Sequence, residues 1–359
     1  MDLLASHQLQ LIIPLLFAFF ASYSFIRLGK PLAVKVGLVD KPGGRKTHKG
    51  AIPLIGGIAI FLAVLSSALL FFPTSMTLRM YLLSAILMLF IGVLDDRYDL
   101  KVSYRLFAQA IAASMMIFGA GEYLSDLGNL LGFGVVHLGW FGPVITLIAV
   151  IGAINAFNMV DGIDGLAGML SIVSFSAIAI LMAIAGNQWF MLPLLFIAAI
   201  GAYLMFNLGW PVGKLRKIFM GDAGSMVIGL TIVWLLVLGS QSGSDEEVAF
   251  SPVIALWLIA VPLMDMAAIM YRRKKKGQSP FKPDRDHLHH IFMRAGLNPR
   301  QALGYITAIA ILFAGIGIAG HLLAIPEYLM LAGFVALFTV YAWAIQHIWI
   351  VVKWLRAHN

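Results

Sequence analysis

The chain contains no cysteine and few charged residues. None of its 359 residues is Cys, which excludes disulfides, thiolate catalysis and Cys-ligated metals. Charged residues make up 12% and hydrophobic residues 61% of the chain, against about 25% charged and about 45–50% apolar residues in a soluble domain. A soluble protein of this composition would lack a polar surface. The composition therefore predicts an all-α protein that crosses a membrane many times.

Apolar stretches long enough to span a bilayer occur throughout the chain. A transmembrane helix needs roughly 20 mostly apolar residues. About eleven stretches predict such helices, within a single integral-membrane domain over residues 1–359. They are residues 8–27, 52–72, 78–94, 104–121, 139–157, 167–186, 189–208, 222–240, 252–271, 302–322 and 327–350. The first has no basic region before it and no small-residue cleavage site, so we interpret it as a span and not as a signal peptide.

Basic residues lie almost entirely in alternate loops between these stretches. The net charge of +8 would suggest nucleic-acid binding in a soluble protein. Of the 25 Lys and Arg residues, however, only Arg79 falls on the opposite side of the predicted bundle. Positively charged loops of membrane proteins face the cytoplasm. We therefore expect a periplasmic N-terminus, a cytoplasmic C-terminus and no nucleic-acid partner.

The acidic residues divide differently between the two sides. Some of the 17 Asp and Glu residues fall on the outer side, where solvated loop charges are the expected role. Those on the cytoplasmic side are all Asp, and they are Asp40, Asp95, Asp96, Asp99, Asp161, Asp164, Asp222, Asp265, Asp284 and Asp286.

Asp95 and Asp96 are adjacent carboxylates at the end of the third stretch. Two like charges side by side repel each other unless a cation lies between them or one is protonated. Short carboxylates suit a hard cation such as Mg²⁺, which also binds phosphate oxygens and water. The alternative is a cluster of helix-end charges that faces water.

Four polar residues lie at the end of the fifth stretch and directly after it. Asn155 and Asn158 are three positions apart, as are Asp161 and Asp164, so each pair would share a face if the segment were helical. Polar groups at membrane depth are costly, so four of them within ten residues indicate a binding site. The alternative is a helix-ending turn.

Asp222 lies among small residues at the start of the eighth stretch. A carboxylate in this position suits a metal ligand beside backbone amides that favour phosphate, and the nearby Phe219 suits stacking on a base. The alternative is that Asp222 is a helix N-cap.

The long cytoplasmic loop combines an arginine with histidines. Arg285 offers a planar fork for phosphate, and His287, His289 and His290 follow it. This spacing is narrow for zinc, which usually also takes Cys or Glu ligands, so contacts to diphosphate or sugar hydroxyls fit better. Lys49 is a further candidate for phosphate binding, although lipid headgroups would attract the same basic loop.

Asp265 lies inside the ninth stretch, after Pro262. A lone intramembrane acid is a candidate functional residue, and the alternative is a buried partner for a nearby Arg or Asn. All the other clusters fall at one predicted membrane face. Acids for magnesium and basic groups for phosphate together predict phosphoryl transfer to a membrane-bound substrate.

These motifs resemble those of the polyprenyl-phosphate N-acetylhexosamine-1-phosphate transferases, the superfamily that includes the peptidoglycan translocase. The Pro-Asp-Arg-x-His-Leu-His-His segment is similar to that of the bacterial undecaprenyl-phosphate GlcNAc-1-phosphate transferase branch, because Leu288 interrupts the consecutive histidines of the translocase branch. The matching stretches are residues 39–42, 53–57, 95–96, 155–165, 219–225 and 287–290.

The resemblance implies a reaction and a setting. UDP-GlcNAc and undecaprenyl phosphate would give undecaprenyl-diphosphate-GlcNAc and UMP, with Mg²⁺ or alternatively Mn²⁺. The enzyme would lie in a bacterial inner membrane, in contact with membrane lipid, with an active site built from cytoplasmic loops. It would begin enterobacterial common antigen and O-antigen lipopolysaccharide synthesis, and a homodimer is compatible with this function.

The resemblance also implies roles for individual residues. Asp222 matches the metal ligand, with Asp96 as a second one. Asp95 and Asp96 match an acidic pair of which one member deprotonates the lipid phosphate or helps to hold the metal, and His290 is the expected catalytic histidine. The remaining matches are substrate-binding positions: Lys49, Asn155, Asn158, Asp161, Asp164, Phe219, Arg285, His287 and His289.

Two other functions fit parts of the sequence. An ion-coupled transporter would also have many spans and an intramembrane acid, but its polar groups should lie near mid-membrane, whereas here only Asp265 does. A sister transferase could use UDP-MurNAc-pentapeptide, UDP-GalNAc or another UDP-amino sugar, and the histidine segment disfavours only the first. Direct displacement and a two-step path through an Asp-linked intermediate are both open.

Overall fold

The computed structural model describes residues 2–41, 50–209, 217–241, 248–279 and 287–347. The expected phosphate ligands Lys49 and Arg285 lie outside the described residues. Two short strands, β1 (Val39–Asp40) and β2 (Ile52–Pro53), pair antiparallel. The helices are α1 Asp2–Val36, α2 Gly56–Phe71, α3 Met76–Tyr98, α4 Val102–Ser114 with a π-helical turn Met115–Ala120, α5 Gly142–Val160, α6 Leu166–Ile184, α7 Met191–Asn207, α8 Gly221–Ser240, α9 Pro252–Leu258, α10 Ala260–Lys275, α11 Leu288–Arg294, α12 Pro299–Leu322 and α13 Glu327–Gln346.

The part of the chain that the structure describes has nine helices long and apolar enough to cross a membrane. The pair α9–α10 makes a tenth crossing if it is counted as one span, although the two helices are bent by 83°. α2 is apolar but only 16 residues long. These helices confirm an all-α protein with many spans. Each of the predicted stretches coincides with a helix or with the bent pair, while the full count of eleven and the orientation stay predictions.

The bend between α9 and α10 follows from Pro262. A proline ring clashes with the carbonyl four residues earlier and supplies no N–H for it, so α9 ends at Leu258. The Leu258 carbonyl instead accepts a hydrogen bond from the Ser174 hydroxyl of α6 at 2.9 Å. A neighbouring helix thereby satisfies a backbone group that has no water available in a bilayer.

α8 is the central helix of the bundle. All its residues from position 223 onward are buried, as expected for a helix that is apolar on every side. α3 and α5 pack on it at positions without side chains, because a methyl group at Gly92 would overlap the backbone of Ala223 and one at Gly229 would overlap that of Ile154. These close approaches fix the ends of α3 and α5 relative to the start of α8.

The peripheral helices present apolar surface outward. Phe20 on α1 is 60% exposed and Val340 on α13 is 65% exposed. Such side chains are stable on the surface of a bundle that is surrounded by lipid. The chain is therefore a multi-pass membrane protein, in agreement with its composition.

Polar residues gather at the two ends of α8. At its C-terminal end, the Gln241 side chain accepts a hydrogen bond from the Ser125 N–H at 2.8 Å. In the same segment, residues 121–138, the backbones of Asp126 and His137 pair in an isolated antiparallel β-bridge. At its N-terminal end lie Asp96 and Asp222. A 20-residue helix spans about 30 Å, so these two polar groups occupy opposite faces of the bundle.

Candidate active site at the start of the central helix

The segment before α8 is held by the residues that precede α2. The Phe219 N–H donates to the Pro53 carbonyl at 3.0 Å, and the Gly57 N–H donates to the Met220 carbonyl at 2.9 Å. The two segments touch backbone to backbone, since a methyl group at Gly57 would overlap Gly224. The absence of a side chain at Gly57 and at Gly224 therefore permits this contact.

Asp96 caps α8 although it belongs to α3. Its two carboxylate oxygens accept hydrogen bonds from the N–H groups of Asp222 at 2.8 Å and Ala223 at 3.2 Å. The first N–H groups of a helix have no partner within the helix and carry partial positive charge. Gly221 permits this approach, because a methyl group there would overlap the Asp96 carboxylate. Asp96 therefore sets the position of Asp222.

Asp95 is paired with a basic residue. One of its oxygens lies 2.7 Å from Nη1 of Arg105, and the other accepts the Leu100 N–H at 2.8 Å. The residue is only 5% exposed, and its carboxyl lies close enough to Asp222 for the two charges to interact. Asp95 therefore links α3 to Arg105 of α4 beside the start of α8.

Asn158 links α5 to the start of α8. Its side-chain amide donates to Asp222 Oδ1 at 2.8 Å and to Ser225 Oγ at 3.0 Å. Asn155 lies one turn earlier and contacts other groups, the Gln109 side chain and the Ile151 carbonyl, both at 2.8 Å. Of the two asparagines, Asn158 belongs to the acidic cluster, whereas Asn155 connects α4 and α5.

Asp161 and Asp164 lie in a loop. The condition under which they would share a helical face is not met, because α5 ends at Val160 and α6 begins at Leu166, so the segment is the helix-ending turn of the alternative interpretation. Gly165 between the helices has a φ of 78°, which a residue with a side chain rarely adopts. Asp164 forms an ion pair with Lys217 at 2.6 Å.

Asp161 faces the negative charge of the neighbouring acids. Desolvation by the surrounding protein raises the pKa of the Asp161 carboxyl, and the charges of Asp222 and Asp164 raise it further. The repulsion between these carboxylates is the part of the rise in pKa that a bound cation would relieve. The acidic cluster is thus suited to a cation.

Phe219 is half-buried beside the acidic loop. The ammonium of Lys217 lies 5.1 Å from the centre of its ring, within the range of a cation–π contact. The same Lys217 pairs with Asp164, so one lysine connects the aromatic ring to the 161–165 loop.

The histidines lie at the start of α11. His289 is 2% exposed, and its ring packs directly on Gly162, where a methyl group would overlap it. Burial lowers the pKa of His289 to about 3, with smaller contributions from His290 and His287. This ring is therefore neutral at physiological pH. The rings of His289 and His290 lie 4.1 Å apart.

Comparisons with known proteins decide the family. The model for glycosyl transferase family 4 matches residues 78–240, from α3 to α8. An undecaprenyl-phosphate alpha-N-acetylglucosaminyl 1-phosphate transferase of Yersinia pestis is 47% identical over 344 residues, covering 95% of this chain and 93% of the relative. The protein of that name from Pasteurella multocida is 48% identical, covering 96% of each chain, and that from Escherichia coli K12 is 46% identical, covering 92% of this chain and 90% of the relative.

The chain belongs to the undecaprenyl-phosphate alpha-N-acetylglucosaminyl 1-phosphate transferase family. It is therefore a membrane-embedded transferase, as the resemblance of its motifs implied. The residues matched by the family model include the acidic cluster around Asp222 and exclude the histidines of α11.

The acidic cluster of this transferase fits a magnesium ion that binds together with its substrate. Among residues 2–41, 50–209, 217–241, 248–279 and 287–347, no three His, Asp or Glu side chains converge to form a metal cage. Mg²⁺ usually needs only one or two carboxylates, and it completes its shell with phosphate oxygens and water. Asp222 meets that need, since Asn158 fixes one of its oxygens and the carboxyl of Asp95 adds negative charge beside it.

The structure brings together most of the residues predicted for the site of the transferase. The members of the acidic cluster and its surroundings are Asp95, Asp96, Asn158, Asp161, Asp164, Phe219 and Asp222, and His289 joins them through Gly162. Asn155 lies apart from them.

Sequence reasoning missed two basic residues of this site, Arg105 and Lys217. Arg105 lies in the first turn of α4, the helix that follows Asp95, and Lys217 precedes Phe219 by two positions. Arg105 is ten residues after Asp95, and Lys217 lies in the motif that follows the one containing Asp164. Each basic residue is predicted to lie on the same membrane side as its acidic partner, so a search for charge partners between neighbouring loops would have found both.

Proposed function

We propose that the protein transfers GlcNAc-1-phosphate from UDP-GlcNAc to undecaprenyl phosphate, releasing UMP. The observation that carries this proposal is the position of Asp222 at the N-terminus of α8, surrounded by three further carboxylates and held by Asn158. A helix N-terminus next to a cation site favours phosphate groups. The names of the relatives supply the acceptor lipid and the amino sugar.

The reaction is an exchange at the β-phosphorus of the sugar nucleotide. An oxygen of the lipid phosphate forms a bond to that phosphorus, and the bond to the oxygen that bridges the two phosphates breaks, so this oxygen leaves with UMP. Magnesium, or manganese in its place, would offset the repulsion between the two anionic substrates. A direct displacement needs no covalent enzyme intermediate. A path through an aspartyl intermediate would instead release UMP in the absence of acceptor lipid.

The residues of the chain have separate tasks in this mechanism. Asp222 would hold the metal, with Asp96 fixing its backbone from α3. Asp161 has the raised pKa of a group that can accept a proton near neutral pH, which suits it to take the proton of the lipid phosphate or to join the metal. Phe219 and Lys217 would bind the nucleotide, by stacking on the base and by charge.

The setting is proposed on the same grounds. The positively charged loops indicate that the acidic cluster faces the cytoplasm, where nucleotide sugars occur, in a bacterial inner membrane. There the product would start enterobacterial common antigen and O-antigen lipopolysaccharide synthesis. A homodimer stays a prediction, which the particle mass of the purified protein in lipid nanodiscs would test.

The test is transfer of radiolabel from UDP-GlcNAc to a lipid-extractable product by the purified protein, with undecaprenyl phosphate and Mg²⁺. UDP-GalNAc and UDP-MurNAc-pentapeptide, supplied in parallel, decide which sugar is used. A product with another sugar only would identify a sister transferase. Absence of lipid-linked product with every donor would reject the transferase proposal for these substrates.

Asp222→Asn tests the assignment of the metal ligand. Loss of the charge should lower turnover by at least ~100-fold, since a ligand change removes the cation that offsets substrate repulsion. Glu327→Gln is the matched control, because this carboxylate lies at the opposite face, where it accepts the Asn129 N–H. Equal turnover of Asp222→Asn and wild type would remove Asp222 from the mechanism.

A further inference from the structure

Asp265 is a buried carboxylate that the acidic cluster does not include. It lies on α10, a short distance after the bend, and is 1% exposed. A buried carboxylate is stable only where hydrogen-bond donors surround it. The donors that surround Asp265 therefore indicate what it does.

Three groups from two other helices donate to Asp265. The Tyr341 hydroxyl of α13 donates to Oδ1 at 2.7 Å, and the Leu288 N–H donates to the same oxygen at 3.1 Å. Nδ1 of His287 lies 2.8 Å from Oδ2. Because Leu288 is the first residue of α11, Asp265 caps this helix from outside and anchors the histidine in front of it.

Asp265 determines which ring nitrogen of His287 carries the hydrogen. A carboxylate only accepts hydrogen bonds, so Nδ1 must carry the hydrogen, and in the neutral ring Nε2 is then the acceptor. A carboxylate behind a histidine is a common way to set the tautomer and orientation of a ring that acts on a substrate or metal.

The anchoring extends to the acidic loop. The rings of His287 and His289 are nearly parallel, with an interplanar angle of 10° and centres 5.8 Å apart. His289 in turn packs on Gly162, between Asp161 and Asp164. A movement of His287 would therefore shift the ring that supports the loop.

We propose that Asp265 is a positioning residue of the transfer reaction, which holds His287 in its Nδ1–H tautomer and seats residues 287–290 against the 161–165 loop. The part that concerns the reaction rests on the proposed function. Asp265 touches neither Asp222 nor the loop, so it acts only through the histidines.

Asp265→Asn separates this role from a purely structural one. The amide oxygen can still accept from Tyr341 and Leu288, which preserves the cap of α11. The amide NH₂ group then faces His287 and donates to Nδ1, so the hydrogen of the ring moves to Nε2. We expect kcat to fall by roughly 10- to 100-fold, as for other residues that orient a functional histidine, with a much smaller change in KM and in thermal stability.

A double-mutant cycle with His287→Ala shows whether the effect passes through the histidine. In that background Asp265→Asn should change kcat by less than about twofold, because two residues that act as a unit are not additive. Ser22→Ala is the control for a lost buried hydrogen bond, since Ser22 donates to the Ala199 carbonyl far from the histidines. Wild-type kcat in Asp265→Asn, or an equal loss in both backgrounds, would overturn the proposal.

A spectroscopic measurement tests the tautomer without the reaction. In protein labelled with ¹⁵N-histidine, at a pH where the ring is neutral, the signals lost in His287→Gln identify this residue. They should show hydrogen on Nδ1 in the wild type and on Nε2 in Asp265→Asn. Hydrogen on Nε2 in the wild type would refute the inference. Failure of the proposed function, in contrast, would appear as absent turnover in the wild type with the tautomer as expected.

Discussion

Gly162→Ala tests whether the contact between the histidine segment and the acidic loop matters for activity. The backbone of Gly162 does not have a positive φ, so alanine can adopt its conformation. The added methyl group would overlap Cε1 and Nε2 of His289. That ring is 2% exposed and has no space to turn away without moving α11.

The size of the effect follows from the overlap. Inserting a methyl group into a well-packed site costs about 1–3 kcal/mol. Each 1.4 kcal/mol corresponds to about a tenfold change. If all of this free energy opposes the contact between His289 and the loop, and if turnover requires that contact, turnover should fall by about 5- to 150-fold.

The assay is the transfer of labelled sugar phosphate to lipid, measured with the thermal midpoint of the purified protein. In a His289→Ala background the ring is gone, so Gly162→Ala should cause no further loss of either quantity. Gly315→Ala is the matched control, because a methyl group there meets no atom within 4 Å. The reasoning is refuted if Gly162→Ala costs as much without the ring as with it.

Three further variants test other parts of the site. Asp96→Ala removes the cap of α8 and should lower the free energy of unfolding by about 0.5–2 kcal/mol, as measured by chemical denaturation. Turnover in the transfer assay should fall more strongly. Unchanged stability would mean that the cap contributes nothing. Arg105→Met leaves Asp95 buried without its partner and should lower the free energy of unfolding by about 3–5 kcal/mol. If the decrease is only as small as that caused by replacing a solvent-exposed arginine, the pair does not contribute to stability as proposed. The pKa of His289 is lowered from 6.5 to about 3. Between these pH values the unfolded chain binds more protons than the folded protein, so stability should fall as the pH drops through this range. His289→Gln should weaken the dependence of the thermal midpoint on pH, and an unchanged dependence would contradict a buried neutral ring.

Composition and apolar runs were enough to predict a bundle of membrane-spanning helices. They could not predict the bend at α9–α10, although its cause is visible in the sequence as Pro262. A proline in a helix either kinks it or breaks it, and the outcome depends on whether a neighbour satisfies the carbonyl that is left. Here Ser174 of α6 does so, and that contact joins residues distant in the sequence.

The members of the site were predictable by type and their partners were not. For Asp265 the alternative to a functional role was a buried partner for a nearby Arg or Asn, whereas the partners that the structure shows are His287 and Tyr341, which reach it from the start of α11 and from α13. The spacing of Asp161 and Asp164 left a helix and a helix-ending turn both open, and the structure has a loop between α5 and α6, which Gly165 permits through its positive φ. Local patterns indicate which residues are polar, and only the packing of distant helices decides what they contact.

The cap of α8 makes the proposed metal site depend on completed assembly. Asp96 and the N–H group that it holds are 126 residues apart in the chain, so no fragment that contains α8 without α3 can orient Asp222. Under the proposed function, a chain with all its helices inserted but α3 not yet docked would have the site residues in the membrane without the contact that orients Asp222 for turnover. Turnover would therefore report on helix packing, because it would be expected only in copies in which α3 has packed against the start of α8.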